Sequence, residues 1–510
     1  MLSPDILKGI ARGIEKESLR IRPDGKLART PHAAALGSAL THPHITTDFS
    51  ESQLELITGV HTQIDSCLRE LRQIHQVVYA TLGDEMMWCA SMPCGLPADD
   101  DIPIGLYGSS NVGRMKTVYR TGLSYRYGRR MQMISGIHYN FSLPRDVWPL
   151  GDLGEATQAY FSLIRNFRRN AWLLFYLFGA SPAVCSSFLA GRQHELSEFA
   201  PGTFHLPHAT SLRMGRLGYQ SDAQSKLAVS YNNLDNYGDS LFDALTQPYP
   251  PYQAIGIREG DHYRQLSTSL LQIENEFYGK IRAKRVIRPG ERPLHALRER
   301  GVEYIEVRLM DLDVFSSIGI NESTIRMLDI FLLHCLLNDS APDTPEQIAE
   351  IRRNQNRVAA RGREPGLRLE KQGSEMALAE WGRQLVGECE PIAGALDAAH
   401  GGHAYGDVLK AAASALDDPE SVHSARVLRE MRERHGGSYV AFTLDQSRRH
   451  AAELRQQVLA PEVKNRFMAL AAASIEEQKQ IEASDSMPFE MYRQQYLAPE
   501  RLNIVRQPRN

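Results

Sequence analysis

The chain has no large surplus of charge of either sign. Its 58 Lys and Arg stand against 61 Asp and Glu, a formal net charge of −3. Nucleic-acid binders normally show a basic excess, which argues against nucleic acid as a partner. Cysteine is scarce: Cys67, Cys89, Cys94, Cys185, Cys335 and Cys389 form no CxxC pair and no His/Cys cluster with zinc spacing. Such sparse usage suits a reducing cytosol, with the thiols acting as small buried hydrophobes. Long hydrophobic runs are missing too. The longest, AWLLFYLFGASPAV, breaks at Gly179, is too short to span a bilayer and predicts a buried helix; no membrane partner is expected. MLSPDILKGIARGIEKE carries charges and lacks the apolar centre of a signal peptide, which predicts a cytoplasmic protein. There is no GxGxxG, GxSxG or HExxH motif. GSSNVGR at 108–114 has the glycine spacing of a P-loop, but Arg114 stands where Lys is needed and Met115 where Ser or Thr is needed.

What the chain does have is acidic residues at strand spacing inside apolar segments. Glu15 and Glu17 lie in RGIEKESLRI, Asp48 and Glu55 in TTDFSESQLELIT, and Glu306 in GVEYIEVRLMD, with His138 in SGIHYNFSLP. A strand turns alternate side chains to one face. Tyr304, Glu306 and Arg308 therefore share a face opposite Ile305, Val307 and Leu309, and His138 shares one with Asn140 and Ser142. The Glu306/Arg308 pair reads either as a salt bridge on a wet sheet or as a metal ligand beside a phosphate clamp. A histidine such as His138 reads either as a hydrogen-bonded core residue or as a ligand. Glu15 and Glu17 repel each other unless a cation lies between them, which favours metal. A set of hard oxygen ligands of one sign suits Mg²⁺, with Mn²⁺ as the alternative. The basic cluster Arg126, Arg129 and Arg130 reads as a solvated face. Arg282, Lys284 and Arg285 read equally as that or as attraction for an anionic substrate.

The predicted organisation is α+β. Residues 62–82 and 155–178 read as amphipathic helices, and 14–21, 53–58, 133–143, 268–278 and 302–309 as strands. The strands do not alternate with helices in a β-α-β rhythm, so a mainly antiparallel sheet with helices outside it is expected. In 268–278, Gln272, Glu274, Glu276 and Tyr278 would share a face, with a solvated outer face as the simplest reading. From Asn321 onward the pattern is almost wholly helical, beginning with a Glu-containing cap region. No linker separates independent domains, so 1–320 is expected to form the catalytic body and 321–510 a helical region packed on it.

Several segments, in one order from about residue 7 to about residue 320, carry a resemblance: LKGIARGIEKESLRI, ALGSALTHPHITTDFSESQLELIT, YGSSNVGRMKTVYR, MQMISGIHYNFSLP, YLFGASPAVCSSFL, ATSLRMGRLGYQ, LQIENEFYGKIRAKR and GVEYIEVRLMDLDVFSSIG. Together they resemble the glutamate–cysteine ligases of proteobacterial type. The tail matches more loosely. The resemblance implies a glutamine-synthetase-like core and ATP-dependent ligation of the glutamate γ-carboxylate to the cysteine amine through γ-glutamyl phosphate, the first step towards glutathione. It implies metal ligation by Glu15, Glu17, Asp48, Glu55, His138 and Glu306, with Arg308 on the ATP phosphates. It places Phe49, Tyr119, Arg120, Arg213, Tyr219 and Tyr278 at the cysteine substrate, where an aromatic box with an arginine suits a small amino acid. ATP, L-glutamate and L-cysteine are then the partners, glutathione is a feedback inhibitor and the enzyme is a monomer. Lacking a P-loop, the chain would hold ATP by sheet, metals and arginines. The alternatives are a γ-glutamyl ligase for another amine, a non-catalytic protein that binds ATP or glutathione, and a metal-dependent amide hydrolase.

Overall fold

The computed structural model describes residues 2–147, 153–218, 222–225, 227 and 229–502. Seven strands make the main sheet: β1 (Ala11–Ile21), β2 (Ile45–Thr47), β3 (Gln53–Ile57), β4 (Met86–Met87), β5 (Ile137–Ser142), β6 (Ile281–Lys284) and β7 (Tyr304–Met310). Their order is β6-β7-β5-β1-β3-β2, with β4 paired to β1, and every pairing is antiparallel. The register sets Glu15 opposite His138, Glu17 opposite Glu55, and Glu306 opposite Asn140 and Arg282. Partners opposite each other point to the same face, so pairing gathers on one face acids that lie far apart in the chain.

Ile305, Val307 and Leu309 are buried on the other face of β7, as alternation predicts. Glu306 is itself 1% exposed, so both faces of the strand are covered and the wet-sheet reading fails. Helix α1 (Ile64–Thr81) buries Leu71, Ile74 and Val78, spaced by three and four. Helix α2 (Asn111–Tyr127) begins inside the P-loop-like segment. Its cap is Ser110, whose hydroxyl accepts from the Gly113 N–H at 3.2 Å. A Cβ on Gly113 would come within 2.3 Å of the Tyr107 carbonyl oxygen, so this glycine permits a close backbone approach.

The segment 155–178 is two helices, α3 (Leu153–Asn170) and α4 (Trp172–Phe178), with Ala171 between them. α4 is buried, as the apolar run predicted. Helix α5 (Glu322–Leu337) is capped by the Asn321 side chain, which accepts from the Thr324 N–H at 3.0 Å. Asp329 on α5 makes a fully buried ion pair with Arg12 of β1 at 2.7 Å and accepts from the Tyr139 hydroxyl of β5 at 2.6 Å. Helix α6 (Pro345–Arg361) opens with a Thr344/Gln347 capping box. Longer helices follow, among them Leu378–His400, Tyr439–Gln456 and Pro461–Ser484. One buried apolar cluster extends from Leu7 to Leu502. No helix among the described residues is long and apolar enough to cross a membrane.

Three expectations need correction. Residues 268–278 are no strand: Glu274–Glu276 is a short 3-10 turn, and both acids are buried anchors. Glu274 pairs with Arg292 at 2.7 Å, and Glu276 with Arg126 at 2.8 Å. The polar spacing there reflects ion pairing inside a turn, and it also removes Arg126 from any solvated face, since its side chain is fully buried. Arg129 and Arg130 likewise donate to backbone carbonyls, at 2.8 Å to Asp100 and 2.8 Å to Pro97. Finally, Cys94 and Cys185 form a disulfide, while Cys67, Cys89, Cys335 and Cys389 are free and buried. The two bonded residues are 91 apart in sequence, a separation that carries no pairing signal.

Candidate active site

The strand pairing assembles two groups of potential ligands that share one ring: Glu15, His138 and Glu306, and Glu17, Glu55 and His138. In each group one donor atom per residue lies within 4.8 Å of the others. His138 Nδ1 is 3.1 Å from Glu15 and 3.6 Å from Glu306, and its Nε2 is 3.5 Å from Glu17. Glu15 also accepts from the Asn140 amide at 2.9 Å, and Glu17 accepts from the Gly136 N–H at 2.8 Å.

The two groups differ in their electrostatics. Burial opposes ionisation of Glu306, but Lys284, Arg308, His138 and Arg282 outweigh it and hold its carboxyl well below the usual range. Burial is outweighed at Glu15 too, by the His138 hydrogen bond and Lys284, so its value is lowered. Glu17 is pushed up by burial and by Asp48. Glu55 is pushed well up by burial and by Asp48, Glu15 and Glu17. One end of the site is therefore balanced by protein cations, and the other holds crowded carboxylates short of positive charge. Glu306 Oε2 is buried without a hydrogen-bond partner. Buried carboxylates left in this state fit a divalent cation with oxygen ligands.

Arg308 extends from the same face of β7. Its guanidinium lies 3.0 Å from Glu306 Oε1 and 3.4 Å from His138 Nδ1, and the surrounding carboxylates keep it firmly protonated against burial. A cavity of about 240 Å³ opens beside it, with Glu17, Asp48, His138 and Arg308 at one end. Phe49, Tyr119 and Tyr278 supply aromatic wall. The Tyr278 hydroxyl meets the Gln132 side chain at 2.8 Å, and its ring packs edge-on to Tyr127.

Arg213 lines the cavity from a buried position, donating to the Arg308 carbonyl at 2.9 Å and lying 3.6 Å from Asp311. A Cβ on Gly136 would meet its guanidinium at 2.0 Å, so this glycine lets the arginine in. Arg120 lines the cavity too, but its Nε donates to the Asp48 carbonyl and its guanidinium stacks on Tyr107 at 4.4 Å. Tyr219 lies outside the described residues.

Sequence reasoning did not single out Gln132, Gln224, Lys280 or Arg352, which also line the cavity. Lys280 had a signal: Lys280, Arg282 and Lys284 alternate on β6 and its lead-in, and Arg282 lies opposite Glu306. Arg285 turns instead to Glu303 at 3.5 Å. Arg352 comes from α6, and nothing local in its segment points to the site.

The glutamate–cysteine ligase family model matches residues 2–358. The chain belongs to the glutamate–cysteine ligase family. It is 47% identical over 504 residues to a glutamate–cysteine ligase of Alcanivorax borkumensis, covering 96% of each chain. It is 48% identical over 505 residues to that of Azotobacter vinelandii, covering 97% of this chain and 95% of the relative. Its fold matches the crystal structure of the Francisella tularensis glutamate–cysteine ligase in complex with AMP, with a TM-score of 0.91, 36% identity, and coverage of 96% of this chain and 98% of that one. As a ligase of this family the chain joins glutamate to cysteine in an ATP-dependent reaction, the first step of glutathione biosynthesis. The antiparallel sheet with surrounding helices and a helical C-terminal region is the α+β architecture expected.

Proposed function

We propose that Glu15, Glu17, Asp48, Glu55, His138 and Glu306 hold Mg²⁺, more than one ion, and that the adjoining cavity receives the amino-acid substrates. The observation that carries this reading is the pair of carboxylate groups sharing His138, one of them crowded and short of positive charge. Bound there, Mg²⁺ would supply charge neutralisation for the ATP phosphates, with Mn²⁺ as an alternative ion.

A carboxylate is a poor electrophile, so its union with an amine needs activation. The glutamate γ-carboxylate attacks the γ-phosphorus of ATP, ADP leaves, and γ-glutamyl phosphate forms. Arg308 acts on the transferring phosphoryl group. Its planar fork matches phosphate oxygens, and its contacts with Glu306 and His138 fix it before substrate arrives. The neutral cysteine amine then attacks the acyl carbon. The C–O bond to phosphate breaks with its electron pair leaving on the phosphate, and the proton lost by the amine passes to a carboxylate near the pocket. Arg213 takes the cysteine α-carboxylate, and Phe49, Tyr119 and Tyr278 enclose its side chain, with Arg120 fixing the Asp48 backbone beside them. The working unit in this reading is a monomer. The reading places it in the cytoplasm, with glutathione, which carries the same γ-glutamyl group, as an inhibitor.

The test is ADP release with glutamate and Mg²⁺, comparing cysteine with a panel of other amines. Cysteine-dependent release together with γ-glutamylcysteine is the expected result. Release with another amine and not with cysteine would reassign the acceptor, and turnover without nucleotide would point to a hydrolase.

A further inference from the structure

Lys280 sits at the wall of the cavity, immediately before β6, and no role has been given to it so far. Its backbone carbonyl accepts the Arg308 N–H at 2.9 Å, so its position is tied to that of the arginine. Its ammonium group donates to Gln355 Oε1 on α6. The Gln355 amide is held in turn, because its Nε2 donates to the Arg168 carbonyl at 2.9 Å. The other neighbours are the Phe175 ring, centred 5.7 Å away, and the like charge of Arg168.

Several cations around this end of the site have an opposite charge at hand. Arg308 and Lys284 have Glu306, Arg213 has Asp311, and Arg168 has Asp343. Lys280 forms no ion pair with any described carboxylate. An ammonium has three donors, and one neutral acceptor satisfies only one of them. Burial and Arg168 lower its pKa to about 8, a value an anion alongside would raise again. A half-buried cation without a counter-ion, kept on a cavity wall by a fixed amide, is the arrangement expected where the counter-ion arrives with the ligand.

We infer that Lys280 binds the α-carboxylate of an amino-acid substrate, Gln355 holding the ammonium in place. The inference rests on the ligase reading of the site. Both substrates, glutamate and cysteine, carry such a group, and a carboxylate has acceptor capacity for Lys280 as well as an arginine.

The test compares wild type with Lys280→Met, which keeps the stem and removes the charge, and with Lys280→Arg, which keeps a charge. A charge-assisted hydrogen bond of ordinary strength corresponds to a KM rise of about ten- to hundredfold. Lys280→Met should raise the KM for one amino acid by that factor, leave the KM for ATP within about twofold, and lose discrimination against the analogue lacking the α-carboxylate. A fall in the preference for cysteine over 2-aminoethanethiol assigns the contact to cysteine. A fall in the preference for glutamate over 4-aminobutyrate assigns it to glutamate. Lys280→Arg should restore part of the lost affinity. Unchanged KM values for both amino acids, or a shift confined to ATP, overturn the inference. Should Lys280→Met fail to fold, Lys280→Gln takes its place with the same outcomes. Wild-type protein that forms no γ-glutamylcysteine defeats the ligase reading and this inference together, whereas normal wild-type turnover with unshifted variants defeats the lysine contact alone.

Discussion

Glu306→Gln tests the site most directly, because it changes charge while nearly preserving volume. Glu306 lies 3.0 Å from Arg308, 3.6 Å from Lys284, 3.6 Å from His138 and 3.9 Å from Arg282. At about 4 Å and an effective dielectric near 20, each pair with Arg308, Lys284 or Arg282 contributes about 4 kcal/mol before desolvation is counted. Desolvation offsets most of that, so breaking such a buried network costs about 3–5 kcal/mol of stability in the metal-free protein. The effect on catalysis is separate. If Glu306 also holds Mg²⁺ and aligns Arg308, turnover should fall at least about a hundredfold, or about 2.7 kcal/mol in the barrier. Two measurements separate the effects: denaturant unfolding without metal, and kcat against Mg²⁺ concentration at saturating substrates. The expected result is a folded variant with depressed kcat and a higher Mg²⁺ requirement. A variant that loses stability yet turns over at the wild-type rate, with unchanged Mg²⁺ dependence, would falsify the ligand assignment and leave Glu306 a structural ion-pair partner.

Three other substitutions probe distinct parts of the structure. Arg213→Ala should raise the KM for cysteine by about ten- to hundredfold, the range of a sheltered charge-assisted pair, with little change for ATP; an unchanged cysteine KM refutes the pocket as drawn. Asp329→Asn should destabilise the protein by about 3–5 kcal/mol, since it leaves the fully buried Arg12 without its partner, while KM values stay constant. A change in substrate affinity without a loss in unfolding free energy would contradict that structural role. His423 titrates above its ordinary value: burial lowers it, but hydrogen bonding and charge from Asp313 and the Leu177 carbonyl outweigh that. A raised folded-state value adds stability that is complete below about pH 6.5 and is lost as pH rises through it. The stability gap between wild type and His423→Gln should therefore narrow from about pH 6.5 upward, and a gap constant across that window refutes the pairing.

The face of each site strand could be read from the chain because side chains alternate, and alternation is local. It set Glu306 and Arg308 together, His138 with Asn140, and Glu15 with Glu17. Which strand lies beside which is decided by contacts far apart in sequence. No local pattern says that Glu17 faces Glu55 or that Glu15 faces His138. Burial was equally out of reach. An acid in an alternating stretch looks the same whether it meets water or, as Glu274 and Glu276 do, a buried arginine. The Cys94–Cys185 bond and the placing of Arg352 were beyond reach for the same reason, since each depends on how distant segments pack.

The position of β5 explains why one histidine belongs to both ligand groups. β5 lies between β1, which carries Glu15 and Glu17, and β7, which carries Glu306 and Arg308. Its inward-facing His138 is therefore the side chain that can reach both neighbouring strands. The cations follow the same geometry: Arg282 and Lys284 come from β6, beyond β7, so positive charge crowds Glu306. β3, on the other side of β1, brings Glu55, and the chain turning into it brings Asp48, with no described ion pair for either. The strand order thus builds a gradient across the sheet, from protein cations at one edge to crowded carboxylates at the other. In the proposed reaction that gradient suits a polyanion. Phosphates can lie over the cationic side, and the metal ions that accompany them can settle among the carboxylates. His138 stands at the boundary, where loss of its ring should disturb both groups at once.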